Sequence, residues 1–306
     1  MKVLVTGATG FVGGEIARQL KAAGHSLRVL ARNPRAPRVQ ELVTGCGADV
    51  HPGDVLAAAS LEGAFQGIEA VIHLVGIISE VGESRFERVH TGGTRNLTTA
   101  AQRAGVRRFI HMSALGTRSD AASRYHRSKW AAEEVVRHSG LQFTIFRPSL
   151  IYGPRDQFVN LYAKIIRLSP VVPLLGSPSV RFQPVPVEAV AAAFARSLDE
   201  PKSLGQTYDL CGPEPLTLAE IVDRILAVLG KRRLKLQVPL VLARCQAVVL
   251  EGLFAGLLRK APPLNRDQLV MLQEDNVGNP QPANELFRLQ PVPLQEGIAK
   301  YLKRGT

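Results

Sequence analysis

The 306-residue sequence predicts an α/β architecture: a doubly wound parallel sheet with helices on both faces, and a smaller lobe formed by the C-terminal half. Three observations predict it. Short apolar runs alternate with stretches of helical periodicity through the first half of the chain. The first of these runs leads directly into Gly7, Gly10 and Gly13, and from there into a helix. Beyond Pro148 the alternation gives way to Pro154, Pro170, Pro173, Pro178, Pro184 and Pro186, a spacing of loops and short elements.

The strands are expected at 2–5, 26–31, 48–51, 70–74, 108–112 and 142–147, with helices starting near Gly13, Arg35, Ala57, Thr91 and Ser123. Right-handed βαβ crossovers place ligands at the carboxyl ends of such strands. Residues 1–155 are read as the nucleotide-binding domain. Residues 156–306 are read as the smaller substrate or partner lobe, with a late strand at 206–210 returning to the main sheet. Residues 216–220 open a helix that runs to Leu229, with Thr217 as N-cap and Glu220 completing a capping box. Residues 239–258 are the most apolar segment. Arg244 and Glu251 inside it argue against a membrane span. It reads either as a core or inter-subunit helix, or as an in-plane membrane helix flanked by Lys231, Arg232, Arg233, Arg259 and Lys260.

An apolar share of 45% with 21% charged residues is that of an ordinary globular protein. The net charge of +12 is not, and it raises three candidate partners: nucleic acid, an anionic membrane surface or an acidic protein. No basic run is interleaved with aromatics, which disfavours nucleic acid. The charge suits a phosphate-bearing cofactor and a membrane-side location. Cys46, Cys211 and Cys245 are too scattered for a disulfide framework or a zinc site, and His73, His111 and His126 read as packing or surface residues, so no metal is expected. Met1 enters the first strand with no leader-like segment, which points to a cytoplasmic protein, held at most peripherally on the inner face of the membrane.

Val3, Leu4 and Val5 form a run typical of a strand buried on both faces. The G-x-x-G-x-x-G turn after it, with Thr9, Phe11 and Val12, sets main-chain amides and the positive end of a helix where a pyrophosphate is held. This is the Rossmann-type signature. The second strand ends at Ala31, followed by Arg32 and Asn33, with no carboxylate at the position that would hold a ribose 2′-hydroxyl. A guanidinium there suits a 2′-phosphate, so the expected cofactor is NADP(H), with Arg35 and Arg38 able to add charge. Asp54, beside Val55, stands either to accept from the adenine amino group or to cap the next helix. Leu74, Val75 and Gly76 end the fourth strand, where a glycine permits close approach of the cofactor.

Tyr125 and Lys129, four residues apart, share one side of a helix. An ammonium beside a phenol is expected to lower a pKa that starts near 10. Ser113, just past the fifth strand, completes a candidate catalytic set in which its hydroxyl steadies a substrate carbonyl or alkoxide.

On these residues the chain resembles the short-chain dehydrogenase/reductase superfamily, in its extended or atypical branch. The likeness runs through residues 6–13, Gly53-Asp54, Gly93-Thr94-Arg95-Asn96, Ser113, Tyr125 and Lys129. It implies that Tyr125 is the acid/base, that Ser113 steadies the reacting oxygen, and that Lys129 binds the nicotinamide ribose and tunes Tyr125. One departure is His90, where extended members often carry asparagine. Residues 123–129, 146–154, 182–190, 208–214 and 262–269 resemble bacterial relatives of the NADPH-binding accessory subunit of respiratory complex I. That likeness implies NADPH held in a structural role. Three functions follow as expectations: an oxidoreductase acting on a carbonyl, alcohol or quinone-like small-molecule substrate; a non-catalytic NADPH-binding subunit at a respiratory membrane complex; and a sugar-nucleotide epimerase.

Overall fold

The computed structural model describes residues 1–258, 260–262 and 264–303. Val3, Leu4 and Val5 have no exposed surface, because helices cover both faces of the strand they form. That strand is β1 (Lys2–Thr6), and β2 (Ser26–Ala31), β3 (Asp49–Pro52), β4 (Ala70–His73), β5 (Arg108–Met112) and β6 (Gln142–Pro148) follow. Four short strands come next, β7 (Ile151–Tyr152), β8 (Val171–Leu174), β9 (Arg181–Phe182) and β10 (Val185–Pro186). The last three are β11 (Gln206–Leu210), β12 (Leu216–Thr217) and β13 (Leu234–Gln237). The main sheet runs β3-β2-β1-β4-β5-β6-β11 with every neighbour parallel, so the chain reverses its winding direction between β1 and β4. A ligand crevice opens at such a reversal.

Alternate residues of each strand serve opposite layers. Val3, Val5, Val29, Ile72 and Phe146 pack under α1 (Phe11–Ala22), α2 (Pro37–Cys46) and, from later in the chain, the segment Val187–Ser197. Leu4, Val71, Phe109 and Ile145 pack under α3 (Gly93–Arg103) and α4 (Arg124–Arg137). A second core joins Tyr152, α5 (Phe158–Leu168), β8 and two later helices, Leu218–Leu229 and Leu294–Leu302. In chain order the remaining helices are α6 (Val187–Ser197), α7 (Leu218–Leu229), α8 (Leu240–Leu250), α9 (Arg266–Met271), α10 (Gln281–Leu286) and α11 (Leu294–Leu302). Through α6, β11 and α10 the C-terminal half returns to the main sheet.

Four expectations need correction. The helix near Ala57 is a single 3-10 turn, Ala58–Leu61, because the Ser60 hydroxyl takes up the Asp54 amide and donates to the Asp54 and Ala57 carbonyls, competing with a longer helix. The helix near Thr91 begins earlier, as a π-helical turn at Glu87–Gly92 that runs into α3. The proline-rich stretch holds two regular helices; the Asp156 carboxylate accepts from the Val159 amide at 2.6 Å to start α5, and α6 begins directly after Pro186. Finally, α8 is no core helix, since Ala243 and Ala247 are its buried residues. Of the residues flanking it, Arg259 lies outside the described ones. The capping box of α7 forms as expected, with Glu220 accepting from the Thr217 amide at 2.7 Å.

The turn between β1 and α1 fixes the position of everything near it. Gly7 has φ +77, a left-handed conformation that costs other residues strain. A Cβ on Gly13 would meet the Gly7 carbonyl and lie 2.6 Å from the Ala8 Cα, so the first helical turn lies directly on the strand end. Gly13→Ala is therefore expected to cost about 1–3 kcal/mol through overpacking against backbone, read as a lower urea midpoint at unchanged slope.

Candidate functional site

A cleft of about 740 Å³ opens at the carboxyl ends of β1, β2 and β4. Gly7, Thr9, Gly10, Arg32, Asn33, Asp54, Val55, Leu74, Val75 and Gly76 all line it. The sequence placed these residues on four separate turns, and the fold brings them onto one wall. Phe11 and Val12 contribute differently. The Phe11 ring lies against Gly153 and the Val12 side chain belongs to the core, so neither residue is part of the cleft lining. No side chain caps that end of α1, which leaves its first amides for an anion.

Arg32 is exposed at the rim, and Arg38 joins it in the lining while donating to the Thr9 carbonyl at 3.3 Å. Arg35 does not line the cleft. Asp54 uses one oxygen to accept from the Leu56 amide at 2.9 Å, a local turn rather than a helix cap. Open main-chain amides beside the Arg32 and Arg38 guanidiniums suit the pyrophosphate of a dinucleotide.

Tyr125 and Lys129 come from the first two turns of α4, whose start is set by Ser123 accepting from the His126 amide at 3.0 Å. Lys129 is 2% exposed. Its Nζ donates to the Met112 carbonyl at 3.0 Å and lies 3.1 Å from where a Cβ on Gly76 would stand, so the ammonium reaches the cleft wall. Burial pushes its pKa down to about 8. Tyr125 departs from expectation. Its pKa is pushed up to about 12, first by burial and then by the negative charge of Asp267, so the phenol keeps its proton at neutral pH. The Tyr125 ring is packed edge-on against Phe86, His90 and His126. Ser113 is buried, and its hydroxyl donates to Thr117 Oγ1 at 3.3 Å. No hydrogen bond links Ser113, Tyr125 and Lys129 to one another among the described residues.

The histidines act as neutral connectors. His90 Nε2 accepts from the Ile77 amide at 3.0 Å, so the proton sits on Nδ1 and is given to Ser128 Oγ at 2.8 Å; Ser128 in turn donates to the Tyr125 carbonyl. Burial pushes the His90 pKa down to about 2. Both nitrogens are thus spent tying the loop after β4 to α4. His73 accepts from the Thr6 hydroxyl and donates to Thr94, which donates onward to the His90 carbonyl. Burial pushes its pKa down to about 3. His111, also buried, has no hydrogen-bond partner on either ring nitrogen among the described residues.

Several contributors carried no signal in the local sequence. Asp267 accepts from the Arg124 and Tyr125 amides, capping α4 from 142 residues away. Asn265 donates to the Ile78 carbonyl and to Ser79 Oγ. The capping box of Asn265 and Gln268 is readable in sequence, but its docking place is not. Glu133, fully buried, accepts from Arg137 and, through both oxygens, from Arg147, which pins α4 to β6.

A crevice at the reversal of a parallel sheet, lined by a glycine turn with open amides, defines a nucleotide-binding α/β protein. Residues 7–201 match the family model described as NAD(P)H-binding. The chain is 30% identical over 277 residues to NADH dehydrogenase (ubiquinone) 1 alpha subcomplex subunit 9, mitochondrial, of Arabidopsis thaliana, covering 89% of this chain and 68% of that one. It is 37% identical over 199 residues to the ceramide reductase of Caulobacter vibrioides, covering 64% of this chain and 61% of that one. Its fold superposes on the UDP-glucose 4-epimerase of Thermotoga maritima with a TM-score of 0.75, at 19% identity over 99% of both chains. The chain belongs to the NAD(P)H-binding family and is a relative of the atypical short-chain dehydrogenases/reductases.

Two outcomes follow from the charges around α4. Lys129 titrates near 8 when folded and near 10.5 when unfolded, so its burden on the native state is greatest below pH 8 and disappears as pH rises through that window. Lys129→Met is expected to raise the melting temperature at pH 7 by several degrees, on the order of 2–3 kcal/mol, and by progressively less toward pH 10. Glu133→Gln leaves two guanidiniums half-satisfied and is expected to cost about 3 kcal/mol in denaturant unfolding.

Proposed function

We propose that the protein is an NADP(H)-dependent oxidoreductase that interconverts a carbonyl and an alcohol on a small-molecule substrate, with Ser113, Tyr125 and Lys129 as its chemical groups. The observation that carries this reading is the buried Lys129 ammonium against Gly76. A fold that shields a cation at the end of β4 and β5, at a stability cost, is arranged for a ligand there. The nicotinamide, when bound, supplies or accepts the hydride. Lys129 holds its ribose, and the Tyr125 hydroxyl, protonated through neutral pH, gives its proton to the oxygen that gains charge as the carbonyl is reduced. Ser113 steadies the same oxygen by turning its hydroxyl from Thr117. The name of the Caulobacter relative, a reductase, agrees with this direction.

Preference for NADP(H) over NAD(H) rests on Arg32, reinforced by Arg38, at a cleft end with no competing carboxylate. Calorimetry is expected to give tighter binding of NADPH than of NADH. Arg32→Glu weakens NADPH by about tenfold to a hundredfold and leaves NADH nearly unchanged. Equal affinities in the wild type would remove the assignment.

Turnover is read as NADPH oxidation across a panel of ketones, aldehydes and quinones. Tyr125→Phe is expected to lower kcat by about 10²–10⁴ with the NADPH Kd unaltered. One observation favours a second reading: Lys129 is committed to the Met112 carbonyl and does not lower the Tyr125 pKa. A protein that binds NADPH tightly, oxidises it with no substrate and is indifferent to Tyr125→Phe is instead a nucleotide-holding subunit, as the name of the Arabidopsis relative suggests.

A further inference from the structure

Helix α8 is built inside out. Ala243 and Ala247, one turn apart, face inward onto Leu269 of α9. Its larger side chains face outward: Val241, Leu242 and Val249 are 70%, 61% and 67% exposed, and Val248 and Leu253 continue the apolar surface. The strand leading into it, β13, exposes Leu234 and Leu236 as well. A helix in a water-facing position ordinarily does the reverse.

The charge around this face is as one-sided as its apolarity. Residues 231–260 hold seven lysines and arginines and a single acid. That acid, Glu251, is already bound to Arg266 at 2.8 Å. Lys231, Arg232, Arg244 and Lys260 are exposed. No helix of the described residues is long and apolar enough to cross a membrane, so an apolar face of this kind lies along a surface rather than through one.

We propose that the outer face of α8 and the turn after it dock in the interfacial plane of an anionic lipid bilayer, with valines and leucines in the acyl boundary and the flanking cations on the headgroups. A second copy of the chain is disfavoured as occupant, because it would set two strongly positive segments against each other. Apolar insertion with cationic attraction is what an anionic bilayer accommodates. The face also adjoins the site: α9, on which α8 packs, is followed back through Asn265 to Ile78 and through Asp267 to the start of α4. Docking therefore brings the bilayer toward the start of α4, where Tyr125 lies.

The test is flotation of the full chain with phosphatidylcholine vesicles containing roughly one-third phosphatidylglycerol, against pure phosphatidylcholine, without nucleotide. The expected result is partition to the anionic vesicles that weakens at high salt. The double variant Leu242→Glu/Val249→Glu is expected to lose about tenfold or more in partition while keeping its melting temperature and NADPH affinity. Absence of partition, or a double variant that floats as well as the wild type, overturns the proposal. So does a dimer in sedimentation velocity that the double variant dissolves while vesicle binding is absent. NADPH affinity is read separately, so failure here is distinct from failure of the cofactor assignment.

Discussion

The arrangement of the site depends on a carboxylate with no exposed surface. Glu133 lies between the guanidinium of Arg137, on its own helix, and that of Arg147, on β6, and both cations also lie over the Trp130 ring. A carboxylate so deep is tolerable only when its oxygens are satisfied by charged donors, and here they are. The cluster fixes the rotation of α4 against the sheet. Tyr125 and Lys129, two and one turns earlier, inherit that rotation and so reach the end of β4 and β5. Asp267 and Ser123 hold the other end of the helix, where open amides would otherwise meet water.

Around this helix the interior is polar but almost uncharged. Thr6, His73, Thr94, His90 and Ser128 pass hydrogen bonds from β1 to α4, and burial keeps both histidines neutral. Lys129 is the cation in their midst, and its positive charge is among the reasons both histidine pKa values fall. Holding that ammonium out of water costs the native state stability, because burial favours its neutral form. Arg108 shows the structural alternative. Buried likewise, it is surrounded by neutral acceptors, the Gln142 and Ser197 carbonyls and the hydroxyls of Thr144 and Ser203, and serves to tie β5 and β6 to the returning C-terminal half.

Much of this was legible in the residues. Continuous apolar runs mark strands covered on both faces, and the strands at 26–31, 108–112 and 206–210 lie where the pattern placed them. The glycine turn, Arg32, Asp54 and Gly76 were readable because each sits at a strand end, a position topology alone makes part of the crevice. The proline-rich stretch misled for a local reason: Pro154, Pro170 and Pro186 stand outside or before helices, where proline is tolerated, and Asp156 starts α5 between them.

What the sequence by itself determined is the alternation of elements and the main-chain cradle, since strand burial, glycine sterics and helix capping are short-range properties of consecutive residues. What only the tertiary structure decided is the electrical state of the site and the exposure of α8. The Tyr125 phenol is held protonated by burial and by a carboxylate 142 residues away, and the side of α8 that faces outward is set by Leu269 beneath its two alanines. Desolvation and long-range Coulomb terms depend on neighbours in space, and no spacing along the chain records them.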